Sequence, residues 1–290
     1  MRLEVSAIGQ NGPAGSRQEN EDNKYRLSNG WSIFSAYAAG NAAEILVNKF
    51  SKKKVYNLYA KAQESTTRNR NYKKAAQQVF QKTVEPKGVK LLSFKELRSR
   101  AANTPQFNFK GNWFKEFAKL STLNAYNNIL EGNNSMYFYR SKEIGVNMHK
   151  CSVSAFHEMG HALNYNTKGI GKCLQSMKKA GGLVTAIAFL TAVFRKPSAP
   201  EETSESLTGR FFDFVKDNCV GIAAAGQLPN LFEEGLASVR GHNLAKKVIN
   251  PTQLKNLAKV NGTAWLTYLT VSAATVLGVY VSDKVRNATC

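Results

Sequence analysis

His157-Glu158-Met159-Gly160-His161 carries the densest chemistry in the chain. On a helix, residues four apart share a face, so two imidazoles can grip one metal ion. The glutamate between them can reach a water on that metal and take its proton. The whole chain of 290 residues contains four histidines, so this pairing is a rare event by chance alone. The flanks suit a helix. Ser152 or Ser154 is expected as the N-cap, and Asn164, Asn166 and Gly169 offer a place to stop. Gly160 lets a neighbouring backbone come close.

Two histidines leave a catalytic zinc site short of a third protein ligand. One solution extends the motif to H-E-x-x-H-x-x-G-x-x-H. Here Asn164 and Thr167 stand at the glycine and third-histidine positions, so that solution is absent. The other takes a glutamate from a second helix. Asn230-Leu231-Phe232-Glu233-Glu234-Gly235-Leu236-Ala237-Ser238 offers two. Glu233 and Glu234 lie about 100° apart around a helix, so only one of them can face the metal.

At these residues the chain resembles the glutamate-zincins, and most of all the membrane-embedded HtpX-type and CAAX-prenyl-endoprotease family. There H-E-x-x-H is followed by apolar helices and then by E-x-x-A-D. Glu234-Gly235-Leu236-Ala237-Ser238 matches except at its last position. The resemblance covers roughly residues 135–245. It implies a zincin-like core, one Zn2+ per chain held by His157, His161 and Glu234, Glu158 as general base, and a polypeptide substrate. The family's aspartate, which supports a zinc histidine, is Ser238 here. A hydroxyl orients an imidazole more weakly than a carboxylate does. A tetrahedral oxyanion needs a donor besides the metal. His242, Tyr165, Arg240 and His149 are the residues weighed for that role. His242 lies eight residues past Glu234, about 80° around an ideal helix.

These residues need elements to hold them. Ser135-Met136-Tyr137-Phe138-Tyr139 is aromatic-rich and reads as a strand. Arg140-Ser141-Lys142 reads as a turn, and Glu143 to Met148 alternates polar and apolar residues as a second strand would. Such a hairpin can present an edge to an extended peptide. The fold class expected is α+β and mainly α-helical. It combines an H-E-x-x-H helix, a small edge hairpin and hydrophobic helices. Residues 1–130 read as a basic, mostly helical region. Residues 131–260 read as the catalytic region, with hydrophobic helices near 180–194 and 211–228. Residues 261–290 read as a C-terminal hydrophobic helix and tail.

Length and charge frame the function. The apolar fraction of 43% permits a substantial core, and the net charge is +20. Between Ser51 and Leu120, seventeen Lys or Arg face four Glu. Such a segment seeks anionic partners: lipid head groups, nucleic acid or acidic protein. Tyr56, Tyr59, Tyr72, Phe80, Phe94, Phe107, Phe109, Trp113 and Phe114 are interleaved with these charges. They read first as the core of a helical body rather than as a nucleic-acid platform, because no recognised nucleic-acid motif is present.

Residues 180–194 would make roughly 22 Å of helix against a bilayer core of about 30 Å. Asn261 to Ser282 is the better span, with roughly 22 uncharged residues between Lys259 and Lys284. The loop from Arg195 to Arg210 is acidic. Placing it outside and the basic body inside follows the positive-inside tendency and sets the catalytic side in the cytoplasm. A soluble cytoplasmic protein with these helices in its core is the alternative. Trp31 to Phe50 reads as a packed helix rather than a surface anchor. No signal peptide is expected from the polar stretch Met1 to Gly30. Cys151, Cys173, Cys219 and Cys290 show no paired spacing, which suits a reducing compartment.

The leading expectation is therefore a zinc-dependent, membrane-associated metallopeptidase. The competing class is a basic protein that binds membranes or nucleic acid and has a non-catalytic metal site. In that second case Glu234 should point away and a cysteine such as Cys151 should complete the shell.

Overall fold

The computed structural model describes residues 29–47, 70–105, 112–196 and 206–289, with a few isolated positions between 49 and 62. The N-terminal stretch to residue 28, Lys52-Lys53-Lys54, Tyr56, Tyr59, Phe107, Phe109, the acidic loop residues 197–205 and Cys290 lie outside them. The chain is mostly helical with one three-stranded sheet. Helix α1 covers residues 29–47. The remaining helices are α2 (Arg70–Val79), α3 (Phe94–Ala102), α4 (Trp113–Glu131), α5 (Ser154–Asn166), α6 (Ile170–Phe194), α7 (Leu207–Asp217), α8 (Cys219–Ala245) and α9 (Pro251–Ala288). The strands are β1 (Lys90–Leu91), β2 (Ser135–Phe138) and β3 (Glu143–Val146).

The expected hairpin forms. β2 and β3 pair antiparallel, with Ser135 opposite Val146 and Phe138 opposite Glu143. β1 pairs in parallel with the far side of β3, so β2 is an outer strand. The two-residue β1 is too short to show a periodicity that could be read from sequence. Alternation along β2 divides its side chains between two neighbours. Tyr137 packs into the core around α5, while Met136 and Phe138 pack with Leu97, Tyr126 and Ile129 of α3 and α4. Ser135 faces α5 as well, through its hydroxyl.

That core is drawn from both ends of the chain. Tyr72, Ala75, Ala76 and Val79 recur at helical spacing on α2 and meet Phe156 and Met159 of α5. Leu244 closes it from α8, and Leu257 and Val260 from α9. The Tyr72 hydroxyl donates to the Gln253 carbonyl at 2.7 Å, tying α2 to α9.

The start of α5 departs from expectation. Neither Ser152 nor Ser154 caps it. The N-cap position is Val153, without a side-chain cap. The chain instead enters through successive turns. Cys151 N–H donates to the Asn147 carbonyl, Ser154 N–H to Cys151, and Ala155 N–H to Ser152. The Ser154 hydroxyl is spent on the Cys151 carbonyl at 3.0 Å. The orphan amides of the first turn thus have backbone partners, so a cap is redundant.

α8 crosses α5 at unusually close range. A methyl group built on Gly160 would overlap the Ala237 carbonyl, and one on Gly241 would overlap the Phe156 carbonyl. α6 and α8 meet similarly at Gly181 and Gly226. Further along, α1 runs antiparallel to α9. Ser32 bonds Thr289, Gly40 packs against Gly278 and Ser282, and Thr275 donates to Glu44.

α6, of 25 residues, and α9, of 38, are each long and apolar enough to cross a bilayer. The expected hydrophobic helix at 211–228 is not one helix. α7 ends at Asp217 and α8 starts at Cys219. The polar run of Lys216, Asp217 and Asn218 turns the chain, and the Asn218 side chain closes α7 by donating to the Phe214 carbonyl. The helix placed at 180–194 begins ten residues earlier, at Ile170.

The close crossing yields a prediction with a sign. Gly-to-Ala in a helix interior ordinarily stabilises by about 0.5–1 kcal/mol. Gly182→Ala, which meets open space, should raise the melting temperature accordingly. Gly160→Ala should lower it, by about 1–3 kcal/mol of overpacking, and should weaken metal binding as α8 is pushed away. Thermal melts and metal titrations of both variants test this.

Candidate metal centre

α5 points His157 and His161 to one side, and α8 brings Glu234 against them across the Gly160–Ala237 contact. The two Nε2 atoms are 3.0 Å apart. Glu234 Oε2 lies 3.3 Å from His157 Nε2 and 3.2 Å from His161 Nε2. Among the described residues, these three side chains form the group of His, Cys, Asp or Glu able to hold a metal ion. Ligands about 2.0–2.2 Å from a tetrahedral ion lie roughly 3.3–3.6 Å from one another, so the observed triangle is only slightly contracted. Of the two glutamates left open by helical geometry, Glu234 faces the histidines.

The residues also fit a metal in their unmet demands. Glu234 Oε2 is buried and has no hydrogen-bond partner, although both imidazoles lie within ion-pair range. An orphaned carboxylate oxygen aimed between two imidazole nitrogens is a place for a cation. The local charge agrees. Glu233 and Glu234 share one ammonium, Lys178, and Glu158 borders a cavity with Glu234 and Lys178, a surplus of carboxylates that suits a cation.

Each histidine is held from behind. His161 Nδ1 donates to Glu233 Oε1 at 2.8 Å, and a carboxylate can only accept. That leaves Nε2 as the metal-facing atom. Glu233 is 0% exposed, and the same oxygen accepts from Asn164 at 2.9 Å and Gln175 at 2.6 Å. His157 Nδ1 meets the Ser238 hydroxyl at 3.1 Å. Ser238 therefore stands where an orienting partner is needed, although a hydroxyl can donate or accept and does not fix the tautomer.

Burial alone would raise the Glu233 carboxyl. The hydrogen bond and charge of His161, with Lys178 and Asn164, outweigh it and hold the group down to about 2. Burial likewise opposes ionisation of Glu234, yet the nearby His161 charge, His157 and Lys178 keep its carboxyl far below the usual range. Burial would lower His161, but Glu234 and Glu233 raise it well above its ordinary value.

Two cavities open on this centre and meet at Glu158. One, of about 450 Å³, is bordered by His157, Ser135, Gln227, Asn230 and Asn261. The other, of about 510 Å³, is bordered by His161, Glu234, Lys178 and the β2 residues Ser135, Met136 and Tyr137. Asn134 and Tyr268 border both. The Ser135 hydroxyl donates to Glu158 Oε1 at 2.7 Å, which fixes one carboxylate oxygen and leaves the other for the cleft.

The four oxyanion donors weighed from sequence are not among the residues bordering these cavities. α8 runs unbroken through His242, so the turn that would swing it inward is absent. Arg240 donates to Thr167 and borders a separate pocket. Tyr165 packs on Tyr137 and Tyr139, and His149 is exposed. Sequence reasoning missed Glu233 as an anchor, Ser135, and Lys178. Lys178 donates to Glu234 Oε1 at 2.9 Å and to Glu233 Oε2 at 3.4 Å. Its i, i+3 spacing from Gln175 on α6 was the one available signal, and it has no meaning until α8 is placed beside it. Cys151 is buried against the Asn134 carbonyl, outside the ligand group.

Comparison with protein-family models, with curated proteins and with solved structures gives no match to this chain.

Because His161 holds a proton in the metal-free state, a metal ion must displace it. Metal affinity should therefore rise with pH, and binding should release protons, measurable by calorimetry in buffers of different ionisation enthalpy. Glu233→Gln should weaken metal binding by about 10–100-fold while leaving the three ligands in place. An affinity that does not change with pH would count against the protonated His161.

Proposed function

We propose that the chain is a zinc-dependent metallopeptidase associated with a membrane. The observation that carries this is the meeting of three ligand atoms and a carboxylate base on one open cleft. A structural zinc site normally fills all four positions with Cys or His. Here the ligands are two histidines and a glutamate, with Glu158 held by Ser135 beside them, and Cys151 outside the group. The H-E-x-x-H motif and the Glu234–Ser238 stretch, which resemble the glutamate-zincins, support the same reading.

A zinc ion held by His157, His161 and Glu234 supplies Lewis acidity, acidifying water and polarising a carbonyl. The chain's own residues do the rest. Glu158 takes a proton from the attacking water as its oxygen bonds to the scissile carbonyl carbon, leaving an oxyanion. As the C–N bond breaks, Glu158 gives that proton to the departing amine. Ser135 keeps the carboxylate aimed, and Glu233 keeps His161 turned inward. β2 borders the cavity as an outer strand, so an extended peptide can add to it by main-chain pairing.

The length and apolar character of α6 and α9 support membrane association. Outward-facing Leu183, Leu190 and Phe194 on α6 and Leu266, Leu277 and Tyr280 on α9 agree with it. So do Trp31, Phe34 and Ile45 on α1. The Lys/Arg-rich segment from Ser51 to Leu120, set against the acidic 195–210 loop, favours a cytoplasmic catalytic face by the positive-inside tendency.

Detergent-purified protein should contain one zinc per chain by mass spectrometry. His157→Ala and Glu234→Ala should lose it. Glu158→Gln should retain zinc and lose peptide cleavage by about 10²–10⁴-fold. Cleavage undiminished in Glu158→Gln, or metal-free wild-type protein, would remove the basis for this reading.

A further inference from the structure

Lys178 is a lysine with its ammonium fixed in place. It sits on the third turn of α6, one helical step from Gln175, and both reach the α8 carboxylates. One N–H goes to Glu234 Oε1 at 2.9 Å and a second to Glu233 Oε2 at 3.4 Å. An ammonium has three donors, and among the described residues the third has no protein partner. The side chain is 35% exposed, and Lys178 lines the cavity bordered by His161, Glu234, Glu158 and β2. The Glu234 carboxylate thus has one oxygen between the imidazoles and the other on a cation that lines the cleft.

We infer that Lys178 is a catalytic residue: its free N–H donates to the substrate carbonyl oxygen as that atom gains charge. This rests on the peptidase reading above and deepens it. The lysine keeps its proton throughout. Water's proton goes to Glu158 and on to the leaving amine, and no other group changes state. Two buried carboxylates hold the ammonium in place, so little reorganisation accompanies the reaction. Fixed donors of that kind stabilise a developing oxyanion more than mobile ones. The position also explains an arrangement that metal binding alone leaves idle: Glu234 needs one oxygen for the metal, and Glu233 already has three donors on its other oxygen. Tyr268 borders both cavities and is the competing donor.

The test compares Lys178→Met, Lys178→Gln, Lys178→Arg and Tyr268→Phe with the wild type. Gln retains an N–H for Glu234 and serves if the Met variant fails to fold. Metal affinity is read by chelator competition, and the ligand field by the absorption spectrum of the cobalt-loaded protein. Peptide cleavage gives kcat and KM, and a phosphinic peptide, a stable mimic of the tetrahedral oxyanion, gives binding without turnover. For Met and Gln, metal content and cobalt spectrum should be unchanged and KM nearly so. kcat should fall about 10²–10³-fold, with a parallel loss of phosphinic-peptide affinity. Arg should restore part of both, and Tyr268→Phe should do little. The inference is overturned if the cobalt spectrum shifts and activity tracks metal occupancy, which would make Lys178 a positioning residue for Glu234. It is equally overturned if Tyr268→Phe carries the loss, or if the phosphinic peptide binds Met, Gln and wild type alike. A metal-loaded wild type that cleaves no peptide would sink the peptidase reading itself. The phosphinic-peptide contrast still reads the donor in that case.

Discussion

Glu233 and Glu234 are consecutive, ionised and buried, and the interior around α8 is arranged around that fact. A buried carboxylate without partners costs several kcal/mol or gives up its charge. Neighbours on a helix point in different directions, so one set of partners cannot serve both. Glu233 turns to His161, Asn164 and Gln175, which come from α5 and α6. Glu234 turns to the paired Nε2 atoms and to Lys178. The glycine contacts at 160 and 241 bring the helices near enough for these short side chains to meet. Geometry, charge and packing at the centre are therefore one problem with one solution.

The sequence revealed the parts of this that depend on local spacing. H-E-x-x-H places two imidazoles on one face wherever a helix forms, and alternation marked β2 and β3. The choice between Glu233 and Glu234 needed the direction of α8, which spacing does not contain, although the family resemblance pointed to Glu234. Ser135 and Lys178 were illegible because a serine in a strand and a lysine in a basic chain look like surface residues. Their meaning comes from what lies opposite. The serine caps failed for a related reason: a helix-start signal assumes the orphan amides lack other partners, and here the preceding turns supply them. His242 failed because its role required a break in α8 that the sequence does not encode.

α6 shows why composition windows misjudged the apolar segments. Its first turns carry Lys172, Lys178 and Lys179, which ended the apolar run at Ala180 when read as a string. In the fold Lys178 and Lys179 border the cleft. Lys178 joins the carboxylates, and Lys179 lies over the Tyr139 ring at 4.9 Å from its centroid. The remaining turns pack by small residues against α8 and present Leu183, Leu190 and Phe194 outward. One helix thus serves two environments in sequence. A scan that assigns it to one of them truncates it. The split of 211–228 is the converse case, where apolar residues on both sides of Lys216-Asp217-Asn218 belong to different helices.

The ligand triangle also has a meaning for the chain as a polymer. His161 and Glu234 are separated by the whole of α6 and α7 with their connecting loop. Any cation that both residues share closes a circuit of roughly seventy residues, and the entropy of such a closure grows only slowly with length. The ion would then act as a removable clasp on that excursion. Withdrawing it removes one tie between α5 and α8, while the Gly181–Gly226 contact and the Lys178 ion pairs still hold α6 against α8. The centre is in this sense also a cross-link of the chain, joining α5 to α8 across the α6–α7 excursion.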